Sequence, residues 1–432
     1  MKFSSILITA LAAVPLPGAT AHPKMQDRIR EIEHVAARGW DTFDSNQLLG
    51  DLRTLNLWQL TSSGRDIKNI LQGGGNPQSR ERYWAVARLD SNRCRRDTCC
   101  VWKYISDDLE ALFRGDSGRC SKWARYAIRM GFHDAGTWSL ANERAGGGAD
   151  GSIILAGELS RRENKGISDM GAKYQEVYTK YHDTYGFSDV TYADLIQMGA
   201  TVATVVCPLG PRVRSWVGRK DSSTPAPPNM LPSPFADADT LIQLFMDKTI
   251  GPDGLIALLG AHTTSQQNFV NATRAGDPQD STPGVWDVLY YQQTLGKAQT
   301  PERVYMFPSD INLSQHPRTS PAFQAFAGQG GQGLWNNDYA REYIRLSLLG
   351  VNNINSLTEC TKVLPQPLDS FQHRDQSRLS KWLDSDDYSP KSKSVSWEVE
   401  NGDEISTPTD KIPGWTNTRP HRHRNKWGGF TW

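Results

Sequence analysis

The sequence predicts an all-α fold, and two observations support this prediction. Between Cys94 and about Gln366, apolar residues recur at helical spacing in one segment after another. Gly and Pro clusters separate these segments, whereas the long alternations of β-branched residues that are typical of strands are scarce. We therefore expect a helical domain over residues 94–366, which is long enough to bury a core and a cofactor.

The N-terminal residues have the pattern of a secretory signal peptide. Residues 1–21 contain one lysine, an apolar run from Ile6 to Val14 and an Ala-Thr-Ala ending. The alternative interpretation is a buried N-terminal strand. No other stretch reaches the roughly 20 apolar residues of a transmembrane helix. We expect cleavage near Ala21, secretion to the extracellular medium and no membrane association.

Residues 22–93 are predicted to form a largely helical extension, either docked on the main domain or preceding it. Apolar residues recur at helical spacing between Ile29 and Leu57. Three glycines from Gly73 and then Pro77 interrupt the pattern. No chemistry is assigned to this segment.

The main domain contains seven strong helical patterns, each with apolar residues three or four positions apart. They cover residues 101–113, 121–134, 170–185, 191–206, 239–248, 252–265 and 337–349.

Residues 367–432 differ in composition, because Ser, Asp, Lys and Pro become frequent and the helical period weakens. We expect irregular structure there, either wrapped on the domain through Trp382, Trp397 and Trp415 or mobile. The run from His421 to Arg424 could contact a polyanion or a metal, although a solvated terminus is the simpler interpretation.

Charge and cysteine content restrict the function further. The formal net charge is +1, from 48 Lys and Arg against 47 Asp and Glu, which gives no support to nucleic-acid binding. In an exported protein the six cysteines are candidates for three disulfides, but the sequence alone does not select their pairing. A zinc site is the competing interpretation, although paired C-x-x-C motifs are missing. Asn271 and Asn312 begin glycosylation sequons, which predict exposed loops.

The stretch from Arg129 to Ser152 carries the first chemical signal. Arg129 and His133 stand four residues apart, so a helix would place a cation and a base on one face. Asp134 then begins a run rich in oxygen ligands and glycine that closes with Asp150 and Ser152. Such a run can hold a hard cation such as calcium.

A second stretch repeats this arrangement. An apolar helical run from Leu255 ends at His262 and Thr263, and a turn rich in oxygen atoms follows from Asp280 to Asp287. A lone histidine at the end of an apolar helix is more often a core residue than a ligand. Two histidine helices, each followed by an oxygen-rich turn, are much more specific.

Four motifs now support a resemblance. R-M-G-F-H-D at 129–134, G-G-G-A-D-G-S at 146–152, G-A-H-T at 260–263 and D-S-T-P-G-V-W-D at 280–287 resemble signatures of the plant, fungal and bacterial haem peroxidase superfamily. They are most similar to those of the secreted fungal (class II) peroxidases, which include lignin and manganese peroxidases. The likeness extends from about Cys94 to Pro365 and implies a two-part helical fold with haem between a distal and a proximal helix.

The resemblance implies one haem b and assigns roles around it. His262 would bind the iron, and Asp310 would accept a hydrogen bond from the other imidazole nitrogen, which increases the basicity of the ligand. On the distal side, His133 would move a proton between the peroxide oxygens, and Arg129 would stabilise the negative charge. Phe132 would flank the haem on the same side. Glu158 and Asn164 would orient His133 by hydrogen bonding.

The resemblance also implies two calcium sites and three disulfides. The distal calcium would bind Asp134, Gly148, Asp150 and Ser152. The proximal calcium would bind Thr263, Asp280, Thr282, Val285 and Asp287. The implied disulfides are Cys94–Cys100, Cys99–Cys360 and Cys120–Cys207.

Several family features are missing. Lys122, Tyr126 and Asn268 stand where manganese peroxidases carry their metal-binding carboxylates. Ala257 stands at the surface tryptophan position of lignin peroxidases, and Gln279 at the radical tryptophan position of cytochrome c peroxidase.

Direct oxidation at the haem edge remains, and residues 232–234 resemble the P-x-P turn that borders the access channel. Another surface radical site is a further option, with Trp138, Trp216 and Trp335 as candidates.

We therefore expect a secreted monomer that uses hydrogen peroxide to oxidise small phenolic or aromatic donors in one-electron steps. One alternative is a peroxide-scavenging peroxidase with a specific reductant, such as ascorbate or cytochrome c. Another is a non-enzymatic secreted binding protein that has kept the fold. The presence of Arg129, His133, His262 and Asp310 together argues against the second alternative, because packing alone does not require these four residue types.

Overall fold

A computed structural model describes residues 46–409, so the predicted signal peptide lies outside the described residues. The structure is predominantly helical, which confirms the predicted all-α class. Its α-helices are α1 (Ser62–Leu71), α2 (Asn92–Arg96), α3 (Thr98–Phe113), α4 (Lys122–Ala135), α5 (Ser152–Leu155), α6 (Ser168–Tyr178), α7 (Tyr192–Val206), α8 (Ala238–Met246), α9 (Pro252–Leu259), α10 (Leu289–Thr294), α11 (Pro308–Gln315), α12 (Ser320–Phe326), α13 (Gly331–Leu346), α14 (Gln376–Leu383) and α15 (Pro390–Asn401).

Short elements complete the chain. Four two-residue strands form two antiparallel pairs: β1 (Trp216–Val217) with β4 (Thr358–Glu359), and β2 (Gln266–Gln267) with β3 (Asp277–Pro278). The 3₁₀ turns are Gly50–Arg53, Leu57–Gln59, Leu140–Ala145, Glu158–Ser160, Arg162–Asn164, Gly260–Thr264, Ala272–Arg274, Ile354–Ser356 and Thr361–Val363, and a π-helical segment, Thr179–Thr184, follows α6. No helix in the described part of the chain is long and apolar enough to cross a bilayer.

Helix α7 forms the centre of one half of the fold. Every residue from Ala193 to Val206 is buried, as expected for a helix that is apolar on all sides. Helices α3, α4 and α6 pack against it. In the other half, α9 packs against α8, α12 and α13. One apolar core connects both halves.

The described part of the N-terminal extension is docked on the main domain. Leu49, Leu52, Ile67 and Ile70 belong to the main core. The side chain of Thr61 accepts a hydrogen bond at the start of α1 and donates one of 2.6 Å to the Asn355 carbonyl. As the sequence predicts, the helical pattern ends at the glycines that follow α1.

The expectation of irregular structure after residue 366 is wrong for 376–383 and 390–401, which form α14 and α15. These helices have a small core of their own, made of Leu379, Trp382, Leu383, Val395, Val399 and Ile405. Because serine and charged residues are frequent in these segments, their few apolar residues do not give a strong helical pattern in the sequence. We call residues 373–405 the C-terminal unit. Trp382 is buried as expected, Trp397 is 57% exposed, and Trp415 lies outside the described residues.

The three disulfides are Cys94–Cys100, Cys99–Cys360 and Cys120–Cys207, the pairs that the resemblance implied. Cys120 precedes α4 and Cys207 follows α7, so the third bridge joins the two helices that pack most closely.

Two other expectations need correction. Trp138, Trp216 and Trp335 are all buried, so none of them is a surface radical site. The Asn312 side chain is exposed but lies on α11 rather than in a loop. The Asn271 sequon lies in a turn, with Ala272 and Thr273 exposed.

Candidate active site

Helix α4 brings Arg129 and His133 onto one face, as their spacing predicts. The helix packs so closely against its neighbours that a Cβ at Gly131 would overlap the Tyr343 hydroxyl and lie 2.8 Å from the Ala200 Cβ. Gln197 on α7 also donates a 3.1 Å hydrogen bond to the Gly131 carbonyl. This packing fixes the orientation of the Arg129 and His133 side chains.

The His133 imidazole is held at both nitrogens. Nδ1 lies 2.8 Å from the Asn164 amide oxygen, and Nε2 accepts a 3.1 Å hydrogen bond from Arg129 Nε. The Asn164 amide nitrogen in turn donates to the Glu158 backbone carbonyl at 2.9 Å. This network assigns the proton to Nδ1 and leaves the lone pair on Nε2.

Burial lowers the pKa of His133 to about 3, and the neighbouring Arg129 charge lowers it as well, against the opposing effect of Asn164. His133 is therefore neutral at ordinary pH and can act as a base. Burial also lowers the pKa of Arg129 to about 10, which leaves it charged. The Arg129 guanidinium donates to the carbonyls of Lys165 and Glu163 at 2.7 and 3.2 Å.

The Glu158 side chain does not contact His133 or Asn164. Its carboxylate accepts hydrogen bonds from Arg161 at 2.9 Å and from the Ala226 backbone at 2.7 Å. The Glu158 side chain thus stabilises the loop on the His133 side, and the Glu158 backbone carbonyl holds the Asn164 side chain in place. Phe132, the predicted distal aromatic residue, stacks on Phe245 with ring centroids 5.9 Å apart.

The proximal histidine candidate lies in the 3₁₀ turn that follows α9. His262 Nδ1 is 2.9 Å from Asp310 Oδ2, and Asp310 is fully buried in the first turn of α11. Two edge-to-face rings flank the imidazole, Tyr290 at 6.0 Å and Phe307 at 5.5 Å. A third of the His262 side chain is nevertheless exposed, which leaves Nε2 accessible to a ligand.

Two contacts connect segments on the two sides of the predicted haem site. Phe269, seven residues after His262, lies against Gly166, so that a Cβ at Gly166 would overlap its ring. On another side, the Ser309 backbone N–H donates to the Pro234 carbonyl at 3.0 Å. The elements that carry Arg129 and His262 therefore lie near each other, with the proposed haem space between them.

The residues around this space fit a haem. An imidazole whose Nδ1 is hydrogen-bonded to a buried carboxylate and whose Nε2 is left for the metal is a typical axial ligand of haem iron. Half-buried apolar side chains of Phe132, Leu259 and Phe307 are available to contact a flat aromatic macrocycle.

The residues of the predicted distal calcium site lie together. The Asp134 carboxylate accepts hydrogen bonds from the backbone N–H groups of Gly151 and Ile153 at 3.1 and 3.4 Å. The Asp150 carboxylate accepts one from the Ser152 N–H at 3.0 Å, and the Asp150 N–H donates to the Gly148 carbonyl at 2.9 Å. Burial and the negative charge of Asp150 raise the pKa of Asp134 well above its ordinary value.

The residues of the predicted proximal calcium site form one network. The Thr263 hydroxyl donates to Asp280 at 2.5 Å and is 3.3 Å from the Val285 carbonyl. The Thr282 hydroxyl lies 3.2 Å from Asp280 and 3.1 Å from Asp287. Burial and the charge of Asp287 raise the pKa of Asp280 well above its ordinary value.

Each candidate site thus encloses two carboxylates whose mutual repulsion a cation would relieve. The remaining oxygen atoms come from hydroxyl and backbone carbonyl groups. Within residues 46–409 no group of three or more His, Cys, Asp or Glu side chains is placed to hold a metal.

Comparison with known proteins identifies the family. The family model described as "Peroxidase" matches residues 105–329, which is more than half of the chain. The chain belongs to the peroxidase family. It is 32% identical to a peroxidase of Arthromyces ramosus over 287 residues, which are 62% of this chain and 76% of the relative. Ligninase C of Trametes versicolor is 30% identical, with 65% of this chain and 79% of the relative covered.

Manganese peroxidase H4 of Phanerodontia chrysosporium is also 30% identical, over 64% of this chain and 76% of that protein. These relatives are fungal peroxidases, and they support the predicted class II type. The chain is therefore a haem peroxidase, an oxidoreductase that uses hydrogen peroxide.

The C-terminal unit covers one side of the peroxidase distal helix, which the sequence did not predict. Arg125, one turn before Arg129, donates to the carbonyls of Val399 and Glu400 at 2.9 and 2.8 Å and also bonds to Gln266. Tyr126, at a manganese-ligand position of manganese peroxidases, donates to the Glu400 carboxylate at 3.2 Å. No local sequence signal links residues so far apart in the chain.

Ala257 and Gln279, at the two tryptophan positions discussed above, are buried. Sequence reasoning also missed Tyr290, whose hydroxyl donates to Asp310 at 2.8 Å. In the sequence, only its position three residues after the candidate calcium ligand Asp287 indicates that Tyr290 could lie near the site.

Proposed function

We propose that this chain is a secreted, calcium-stabilised peroxidase that oxidises small phenolic or aromatic donors in one-electron steps. The observation that carries the proposal is the pairing of the Arg129–His133–Asn164 network with the His262–Asp310 pair around one space. Together the two sets fit the two sides of a haem.

Haem, when bound, supplies the redox centre that takes oxidising equivalents from peroxide and transfers them singly to donors. His133 Nε2 accepts a proton from one peroxide oxygen and returns it to the oxygen that departs. The peroxide takes the place of Arg129 Nε at this lone pair, and the Arg129 charge stabilises the negative charge that develops as the O–O bond breaks. Asn164 keeps the other imidazole proton on Nδ1 throughout.

The proposed donor site is the edge of the haem space. Lys122, Tyr126 and Asn268 do not provide the carboxylates of a manganese site, and Ala257 offers no radical site. Two aromatic side chains are exposed near this edge: Phe235, in the loop before α8, is 52% exposed, and Phe269, in the loop between β2 and β3, is 50% exposed. They are suited to contact flat aromatic donors.

The remaining features of the proposal are secretion, calcium and oligomeric state. Secretion is supported by the pattern of residues 1–21 and by three disulfides, which are typical of exported proteins. Two bound calcium ions are supported by the enclosed carboxylate pairs Asp134–Asp150 and Asp280–Asp287. We propose that the protein acts as a monomer.

The decisive experiment is an absorption spectrum of the purified protein before and after one equivalent of hydrogen peroxide, followed by a donor panel. We expect a Soret band that shifts when peroxide is added and returns to its original wavelength when a phenol is added. The His262→Ala variant should lose haem. Absence of a Soret band, or retention of haem by His262→Ala, would contradict the assignment. Fast turnover of ascorbate or cytochrome c with slow turnover of phenols would favour the peroxide-scavenging alternative.

A further inference from the structure

The buried carboxylate of Asp310 receives more hydrogen bonds than its role toward His262 requires. Oδ2 is 2.9 Å from His262 Nδ1, 2.8 Å from the Tyr290 hydroxyl and 3.4 Å from the Gln279 amide nitrogen. Oδ1 accepts a 3.0 Å hydrogen bond from the Ser309 hydroxyl. Asp310 and Tyr290 are both fully buried, so neither side chain is open to bulk solvent.

These additional donors affect the proton between Asp310 and His262. A buried carboxylate with His262 as its sole donor would attract the Nδ1 proton strongly, because little else would stabilise its charge. Each further hydrogen bond delocalises that charge and weakens the attraction. Tyr290 is the closest of the additional donors and bonds to the same oxygen as His262.

We propose that Tyr290 is a positioning residue that limits the basicity of His262 by donating a hydrogen bond to Asp310 Oδ2. The inference rests on the proposed function, in which His262 is the axial ligand of haem iron. With Tyr290 in place, the proton stays on His262 Nδ1 and the ligand is an imidazole. Without the hydroxyl, Asp310 draws the proton further and the ligand gains imidazolate character, which favours the ferric over the ferrous state.

The surroundings of Tyr290 support a fixed donor. Its ring packs edge-to-face on His262 and lies 5.2 Å from the Tyr291 ring. A tyrosine hydroxyl is protonated at neutral pH, and toward the Asp310 carboxylate, which only accepts, it is the donor of the 2.8 Å hydrogen bond. The first turn of α10 places it beside Asp310 immediately after the candidate calcium ligand Asp287.

The neighbouring residue Tyr291 provides a matched control. It is as buried as Tyr290, and its hydroxyl also makes one hydrogen bond of 2.8 Å, but to the Ile256 carbonyl rather than to Asp310. Tyr290→Phe and Tyr291→Phe therefore remove the same atom from adjacent residues of one helix, but only Tyr290→Phe removes a hydrogen bond to Asp310.

The test is spectroelectrochemical titration of both haem-loaded variants, with resonance Raman measurement of the iron–histidine stretching band in the ferrous state. Tyr290→Phe should shift the midpoint potential to more negative values and the band to higher frequency. Tyr291→Phe should leave both at the wild-type values. Equal values for Tyr290→Phe and the wild type, or equal shifts in the two variants, would overturn the inference.

A third variant distinguishes the loss of the hydrogen bond from an effect of misfolding. Replacing Tyr290 with 3-fluorotyrosine keeps the ring and makes the hydroxyl a stronger donor, so the midpoint potential should move in the opposite direction, to more positive values. A shift to more negative values, or none, would contradict the proposal. Retention of haem by His262→Ala would overturn the proposed ligand and this inference together. Loss of haem from His262→Ala without any Tyr290 effect would overturn the inference alone.

Discussion

In the proposed mechanism, His133 depends on a hydrogen-bonded partner at each nitrogen of its ring. Asn164 holds Nδ1, and Nε2 faces Arg129, so the ring is oriented before substrate arrives. Its lowered pKa keeps the ring neutral, so that Nε2 has the free lone pair that a proton acceptor requires. In the proposed mechanism, removal of the imidazole would eliminate the proton transfer and leave His262 in place to bind haem.

We expect His133→Ala to bind haem normally and to react with peroxide about 10²- to 10⁴-fold more slowly, the usual contribution of general acid–base catalysis. Stopped-flow measurement of the Soret change would give the rate constant. His182→Ala, a substitution of a partly exposed histidine on the π-helical segment, is the control and should react at the wild-type rate. A His133→Ala rate within a factor of two of the wild type would remove this residue from the mechanism.

Gly131 is the residue that lets α4 approach its neighbours. A Cβ there would overlap the Tyr343 hydroxyl, and Tyr343 is itself hydrogen-bonded to Gln197 at 3.0 Å. We expect Gly131→Ala to lower the free energy of unfolding by about 1–3 kcal/mol, as is typical of overpacking. Gly333→Ala, in α13, has no atom within 4 Å of the added methyl group and should be neutral or stabilising. Chemical denaturation of both variants tests this contrast, and equal stabilities would contradict it.

At the level of elements, each histidine helix is joined to an oxygen-rich loop. Asp134 follows His133 directly and Thr263 follows His262 directly, so a change in either loop is transmitted to a residue of the active site. A site exposed to calcium at about 100 times its dissociation constant would add about 2.7 kcal/mol to the free energy of unfolding.

Chelation should therefore lower the melting temperature and perturb the Soret band, and re-added calcium should restore both. Asp280→Asn should weaken the calcium dependence, because one of the two proximal carboxylates is lost. Magnesium, which prefers octahedral coordination, should restore less. An unchanged melting temperature in protein shown by elemental analysis to be calcium-free would contradict the two-site proposal.

The sequence predicted the helices and motifs of the site because these are local. A 3.6-residue period and a four-residue spacing directly specify α4 and the face shared by Arg129 and His133. The donors around Asp310 were not predictable, because Tyr290 and Asp310 meet only after α10 packs against α11.

Helices α14 and α15 were missed for another reason: their apolar residues are few and stand among serines and charges. Ser389 before Pro390, with Gly402 after α15, is a start and stop signal that was available in the sequence.

At the scale of the whole molecule, the C-terminal unit is held by buried arginines of the peroxidase domain. Arg119 makes a two-pronged ion pair with Asp375 at 2.9 and 2.7 Å, and both side chains are buried. Arg303 lies over the Trp382 ring at 5.0 Å and donates to Ser392 at 2.6 Å. Buried cations paired in this way indicate a permanent attachment, because breaking one pair leaves a charge without compensation.

Acid should weaken this attachment. Burial and the Arg119 charge lower the pKa of His373 from 6.5 to about 4. Between about pH 4 and pH 6.5, the unfolded C-terminal unit therefore binds more protons than the folded unit. The stability that neutral His373 contributes is complete above about pH 6.5 and decreases as the pH falls toward 4. Burial would raise the pKa of Asp375, but hydrogen bonds and the Arg119 charge lower it overall, so its contribution is lost only below its ordinary range.

We expect hydrogen-exchange protection of α14 and α15 to decrease between pH 7 and pH 4.5 more than that of α7. Asp375→Asn should show reduced protection already at pH 7. Protection factors that change equally in all three helices would show that the C-terminal unit has no acid-sensitive attachment of its own.

The location of Arg119 affects how the protein can be synthesised. Every partner that the described residues offer to its guanidinium lies between His373 and Asp403. Arg125 and Arg303 also have partners within this segment. While the ribosome is still translating residue 366, the chain already contains both histidine helices, but the three arginines lack these partners. These arginines therefore reach their final partners only after the chain has been translated as far as Asp403. Until then, the incomplete domain carries cations without their final compensation, and such partly packed chains are prone to misassembly.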